Sequence, residues 1–313
     1  MDFILLILGV AGLWLGTELT IGGALAIARR YGLSEFFVGL VVLSIGSDLP
    51  ELAVAVDAGL KGLSGLDASG VVVGTAIGSV MGQIGFVLGV AGLLGYLSLP
   101  RRFIVRHGSV LLGATVLLFL AGFDGHVSRL EGTMLCTVYL IYIVALLRNG
   151  AIPAEQPEAL ALAAGGLKSW AALIAGLLAV IASSELAVVS VVRIAQALEV
   201  SQALVSVLII GIGTSLPELS ISVSAILKKR AGLSVGNIIG SNILDTLLPV
   251  GIAAAISPLV FEAQFLFFDL PYIFMLTSVV LFFFIRKRGL QTGEAAVILA
   301  FYAAYAGFKI AQF

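Results

Sequence analysis

Charge is scarce in this chain: Asp, Glu, Lys and Arg together supply 11% of its 313 residues. Soluble domains carry about 25%, so a fold with water on every side is excluded. Cysteine is almost absent too. Cys136 stands alone, which rules out an intramolecular disulfide, and its apolar neighbours read as packing around a thiol. There are only two histidines, His107 and His126, both in or beside loops, where they are expected to be exposed. No HExxH, no nucleophile with a base partner and no cofactor motif occurs, so neither an enzyme nor a cofactor is expected. The net charge is −1 and no basic patch lies outside the short loops, which leaves nucleic acid without a docking surface.

What fills the sequence instead is apolar. Hydrophobic residues make up 60% and mean hydropathy is +1.16, more than one soluble core of this size could hide. The expected fold is all-α, a polytopic membrane protein. Runs near the 20 residues that cross a hydrocarbon core of about 30 Å lie at 3–28, 35–60, 69–98, 104–122, 127–147, 169–198, 202–227, 232–257, 264–285 and 291–311, ten transmembrane helices in all. The first run is too long for a secretory signal and holds Glu18, so it is read as a retained helix. Nothing in the sequence points to an oligomeric state.

Basic residues mark one membrane face. Arg29 and Arg30 follow the first run, Arg101, Arg102 and Arg106 the third, Arg148 and Lys168 flank the loop after the fifth, Lys228, Lys229 and Arg230 follow the seventh, and Arg286, Lys287 and Arg288 the ninth. Lysine and arginine favour the cytoplasmic side. That places both termini on the extracellular or periplasmic side of the cell membrane. The longest polar stretch, 150–168, then reads as a cytoplasmic linker between a first five-helix unit at 1–149 and a second at 169–313.

An odd number of spans before the linker would turn two related halves over with respect to each other, and the halves are related. TEL at 17–19 matches SEL at 184–186, GSDLPE at 46–51 matches GTSLPE at 213–218, and GTAIGSVMGQIGFVLG at 74–89 matches GNIIGSNILDTLLPVG at 236–251. Two inverted repeats interrupted by Gly and Pro point to a secondary transporter with its site near the bilayer midplane.

Proline explains the chemistry. Pro50 has no N–H for the carbonyl of Gly46, and Pro217 has none for Gly213. A freed carbonyl in lipid needs protein, water or an ion, and Glu51 and Glu218 follow the prolines directly. On a helix Ser47 and Asp48 share a face with Glu51, as Thr214 and Ser215 do with Glu218. Two further ladders spaced by four follow: Thr75, Ser79 and Gln83, then Asn237, Ser241 and Asp245. This donor set is all oxygen and suits Ca²⁺, Mg²⁺, Mn²⁺ or Na⁺ rather than zinc or copper. A midspan carboxylate is costly and needs a reason. For Asp48 capping of free amides is the simpler alternative. Glu18 and Glu185 fit a helix contact or an ion role equally. Asp57, Asp269 and Glu294, near span ends, read as solvated structural residues.

These two long motifs resemble the cation/calcium antiporter superfamily, which includes the sodium/calcium exchangers. Its hallmark is a pair of inverted repeats, each with a G-T-S-x-P-E segment followed by G-N-x-x-G-S-N. The resemblance spans essentially the whole chain. It implies exchange of Ca²⁺ against Na⁺ by alternating access, with Glu51 and Glu218 as central ligands, Ser47, Thr214, Ser215, Ser79, Ser241 and Asp245 around them, and spans 1 and 6 sliding against the other eight. The first repeat departs from the pattern at Asp48, Thr75, Val80 and Gln83. An extra carboxylate at Asp48 would call for more positive charge, which admits Mg²⁺ or Mn²⁺ as cargo or H⁺ as the exchanged ion. A cation channel lined by carboxylates is the main rival. An organic-anion carrier is disfavoured by four acidic residues with no matching base. Inorganic cations and the lipid bilayer are therefore the expected partners.

Overall fold

The computed structural model describes residues 2–148, 166–197, 215–287 and 289–312. Helices dominate: α1 Asp2–Tyr31, α2 Glu35–Ser47, α3 Leu49–Leu63, α4 Ser69–Leu94, α5 Arg101–Ala121, α6 Arg129–Arg148, α7 Gly166–Ala197, α8 Leu216–Leu227, α9 Ala231–Ile256, α10 Phe265–Lys287 and α11 Thr292–Gln312. Eight are long and apolar enough to cross a membrane, and α2 with α3, bent by 45°, makes a ninth span. Of the expected run 202–227 only the part from Ser215 onward is described, and the linker 150–168 lies outside the described residues up to 165.

Burial follows the small residues. α9 sits at the centre against α2, α3, α4, α5, α6 and α8, because its glycines remove the side-chain layer between helices. A Cβ on Gly236 would stand 2.3 Å from the Phe36 carbonyl oxygen, and one on Gly240 2.2 Å from that of Leu40. Backbone meets backbone there, the arrangement that small residues permit in membrane bundles. Around this centre α10 packs on α5 and α11 on α4, while α1 and α7 pack chiefly on each other.

Two short pairings tie the loops. β1 (His126–Val127) and β2 (Leu259–Val260) are antiparallel, with His126 opposite Val260. At another corner Leu97 and Leu290 exchange backbone hydrogen bonds of 3.1 and 2.8 Å. Acidic residues outside the bundle centre also have partners. Glu18 pairs with Lys228 at 2.6 Å, joining α1 to the end of α8, and Asp57 with Lys61 at 2.6 Å. Glu294 accepts from the Gln291 amide and caps α11, and Glu185 is exposed.

Two expectations need correcting. His107 is fully buried, not exposed in a loop. It lies inside α5, its Nδ1 2.8 Å from the Tyr142 hydroxyl and its ring 5.2 Å from that of Phe36, so it joins α5, α6 and α2. Asp269 is structural but not solvated: it is fully buried and takes hydrogen bonds from Tyr305 Oη and Lys309 Nζ, both at 2.8 Å. Those donors come from α11, which the sequence spacing alone does not bring to Asp269.

The close crossing of α9 gives a stability test. Gly236→Ala should destabilise the fold by about 1–3 kcal/mol, the usual cost of overpacking. Thermal unfolding in detergent measures it, with Gly113→Ala, which meets nothing within 4 Å, as the silent control.

Candidate functional site

The two proline segments have one local geometry. Asp48 lies at φ −88°, ψ 7° and Ser215 at φ −95°, ψ 7°, each just before a Leu-Pro-Glu sequence opens a helix. Proline suits a first helical turn, whose amides have no intrahelical acceptor. The preceding turn bears the cost: the Gly46 carbonyl lacks the donor that residue 50 would supply. A wider helical turn at Val38–Leu43 leads into Ser44–Ser47, and another at Gly82–Val87 contains Gln83; such bulges shift which residues face the interior. Gly213 and Thr214, the counterparts in the second segment, lie outside the described residues.

Asp48 does not cap α3 with its side chain, which sets aside the simpler reading of that residue. Its Oδ1 instead accepts from Ser241 Oγ at 2.9 Å and from Ser47 Oγ at 3.2 Å. From the other direction Gln83 Nε2 donates to Asp245 Oδ2 at 2.9 Å and to Ser79 Oγ at 3.3 Å. The ladder of each half thus reaches an acid of the other half. Glu51 lies within electrostatic reach of Glu218 and Asp245, and Asp48 within reach of Asp245, Glu218 and Glu51. Glu218 sits beside Asp48 and Ser47. Four carboxylates share one neighbourhood.

They share it without a counter-charge. Asp48, Glu218 and Asp245 have no exposed surface and Glu51 has 4%. Among the described residues none of the ion pairs reaches them. Asp48 Oδ2, Glu51 Oε2, both carboxylate oxygens of Glu218 and Asp245 Oδ1 are buried with no hydrogen-bond partner among the described residues, as are Ser215 Oγ, Gln83 Oε1 and Asn237 Oδ1. An uncompensated buried carboxylate costs several kcal/mol, so this arrangement asks for cations. Among the described residues no three Asp, Glu, His or Cys side chains form a closed metal cage. Carboxylates held apart in this way need hydroxyl, amide and carbonyl oxygens to complete a coordination shell. Gly46, Ser47, Ser79, Gln83, Ser215 and Ser241 are all buried in the same region and offer them.

Some contributors escaped the sequence reading. Pro249, inside α9, stands four residues after Asp245 and removes the donor its backbone carbonyl would use; the spacing was visible but lay outside the repeat pattern. Ser222 accepts from Asn237 Nδ2 at 3.4 Å, and Tyr139 of α6 lies within electrostatic range of Asp48 and Asp245. Neither carried a local signal. Thr75 is only half-buried.

A bundle of apolar helices around buried, unneutralised oxygen donors defines a membrane transport protein rather than an enzyme. Comparison with known proteins narrows the class. The family profile described as "Sodium/calcium exchanger protein" matches residues 1–148 and 168–311, and the chain belongs to that family. An uncharacterized membrane protein of Methanocaldococcus jannaschii is 30% identical over 308 residues, covering 95% of this chain and 94% of that protein. The sodium/calcium exchanger MaX1 of Methanosarcina acetivorans is 26% identical, covering 97% of each. Among solved structures, the sodium-calcium exchanger NCX_Mj soaked with 2.5 mM Na⁺ and 1 mM Sr²⁺ aligns with a TM-score of 0.83 at 26% identity, over 98% of this chain and 97% of the other.

Ser241→Ala should raise the half-saturating Ca²⁺ concentration about ten-fold or more, since it removes both the hydroxyl that orients Asp48 Oδ1 and an oxygen offered to the cation. Initial rates of ⁴⁵Ca²⁺ uptake across a Ca²⁺ series measure the effect.

Proposed function

We propose that the protein exchanges Ca²⁺ against Na⁺ across the cell membrane by alternating access, using one buried site for both ions. The observation that carries this reading is the group Asp48, Glu51, Glu218 and Asp245, buried together with carboxylate oxygens that have no hydrogen-bond donor among the described residues. Hard oxygen donors fit Ca²⁺ and Na⁺, and the family and its named exchangers favour these two over Mg²⁺, Mn²⁺ or H⁺. Glu51 and Glu218 are the central ligands. Ser47, Ser79, Gln83, Thr214, Ser215, Ser241, Asp48 and Asp245 surround them with the backbone oxygens of Gly46 and Gly213.

The architecture behind this reading is ten spans in two inverted halves, 1–149 and 169–313, joined by 150–168. Parity supports it. β1 and β2 pair, so the loops that hold them lie on one side of the membrane, and an even number of crossings must separate them. Among the helices between them α6, α7 and α9 supply three. The run that ends in α8 then supplies the fourth. Basic loop residues put both termini outward. Motion is assigned to α1 and α7, which pack mainly on each other and less on the rest, so they can shift as a pair while the site stays on the other helices.

Coupling comes from competition. An empty site carrying buried negative charge crosses poorly, since an unpaired charge in a low-dielectric interior is costly. The carrier therefore turns over when Ca²⁺ or Na⁺ fills it. In reconstituted vesicles a Na⁺ gradient should drive Ca²⁺ uptake, and a pH gradient alone should not. Glu51→Gln and Glu218→Gln should each bring uptake to background while the protein elutes as a folded species in size-exclusion chromatography. Full exchange by either variant, or currents far above carrier rates, would overturn the reading.

A further inference from the structure

A groove of about 410 Å³ opens where α1, α2, α6 and α7 meet, lined by Ile27, Tyr31, Leu33, Phe37, Val42, Leu147 and Trp170. Every lining side chain is apolar or aromatic, and the groove runs from helix ends into the apolar zone, from Tyr31 at the end of α1 to Val42 within α2. Tyr31 and Trp170 stand at its mouth, 55% and 36% exposed. Such amphipathic rings favour the level of lipid head groups.

Among the described residues, the exposed charges at the ends of these helices are basic. Arg29 and Arg30 close α1, Arg148 closes α6 and Lys168 lies in the first turn of α7, all four exposed. Among the described residues none of them forms an ion pair, and Glu35 on the neighbouring turn is already bound to Arg230 at 2.9 Å. Arg30 approaches Gly166 at the start of α7 and lies 6.0 Å from the Tyr31 ring centre. Arg30 thus sits beside the start of α7, where Lys168 lies, and Arg29, Arg30 and Arg148 are next or next but one to the lining residues Tyr31 and Leu147.

We propose that this groove seats an anionic phospholipid, one acyl chain along the apolar wall and the phosphate head group among Arg29, Arg30, Arg148 and Lys168. A zwitterionic lipid would fill the same wall but would leave the four cations without a net counter-charge. Basic residues near a membrane surface favour anionic lipid by roughly five-fold each. The groove lies between the α1–α7 pair and the rest of the bundle, so its occupant touches both sides of that boundary.

The test uses the two tryptophans, Trp14 and Trp170. Trp14→Phe protein, whose remaining tryptophan is Trp170, is reconstituted in phosphatidylcholine vesicles with brominated phosphatidylglycerol or brominated phosphatidylcholine added in small mole fractions. Quenching of Trp170 should show a preference of about five-fold or more for the anionic lipid. The preference should fall to near parity in Arg29→Gln/Arg30→Gln/Arg148→Gln/Lys168→Gln protein. Trp170→Phe protein, reporting from Trp14, should show near parity throughout, since Trp14 samples the surrounding bilayer. Equal quenching of Trp170 by both lipids, no quenching by either, or a preference that survives loss of the four cations would overturn the proposal. Ion exchange enters none of these readings, so the result stands apart from the assignment of the transported ions.

Discussion

Burying several carboxylates together without a basic residue is the constraint on which the rest of the structure depends. In lipid such a group has no water to solvate it, and a protein that kept it for packing would supply a lysine or arginine. This protein does so elsewhere: Lys309 meets buried Asp269 at 2.8 Å and Lys228 meets Glu18 at 2.6 Å. Among the described residues it does not do so for Asp48, Glu51, Glu218 or Asp245. On the proposed reading, the difference separates acids that hold helices together from acids that hold a place for a mobile charge.

Backbone and side chain serve the same end. Proline at the second residue of α3 and of α8 starts a helix without strain, and Pro50 leaves the Gly46 carbonyl without its usual donor close to Glu51. The breaks would be unstable if exposed to hydrocarbon. The glycines of α9 bring its backbone against α2, which shields the break and carries Ser241 to Asp48.

Much of this was legible in the sequence because the site is built from local spacing. Two Leu-Pro-Glu segments and two ladders of period four already state which side chains share a face, and the apolar runs state nine of the helical spans the structure describes. What could not be read is whatever depends on contacts between helices. Whether Gln83 reaches Asp245, whether His107 finds Tyr142, and whether Asp269 is paired or solvated are set by helices distant in the chain. Pro249 is a different case. Its effect on the Asp245 carbonyl follows from sequence alone, but the first repeat has Val87 at that place, so a search guided by symmetry passes over it.

Hydrogen-bond donors are shared unequally among the four acids, and this ranks them. Asp48 has one oxygen engaged by two serine hydroxyls, and Asp245 has one engaged by the Gln83 amide. Glu218, which sits beside Asp48 and Ser47, has neither oxygen in a well-formed hydrogen bond among the described residues. A cation at Asp48 or Asp245 would join an oxygen already oriented by a donor, whereas at Glu218 the described residues hold no oxygen in place. With no ion present, the described residues leave one buried carboxylate oxygen without a donor at Asp48, Glu51 and Asp245, and both at Glu218. On the proposed reading, a cation binds most strongly where it displaces least, which singles out Glu218 rather than either aspartate as the acid that depends most on the ion for its partners.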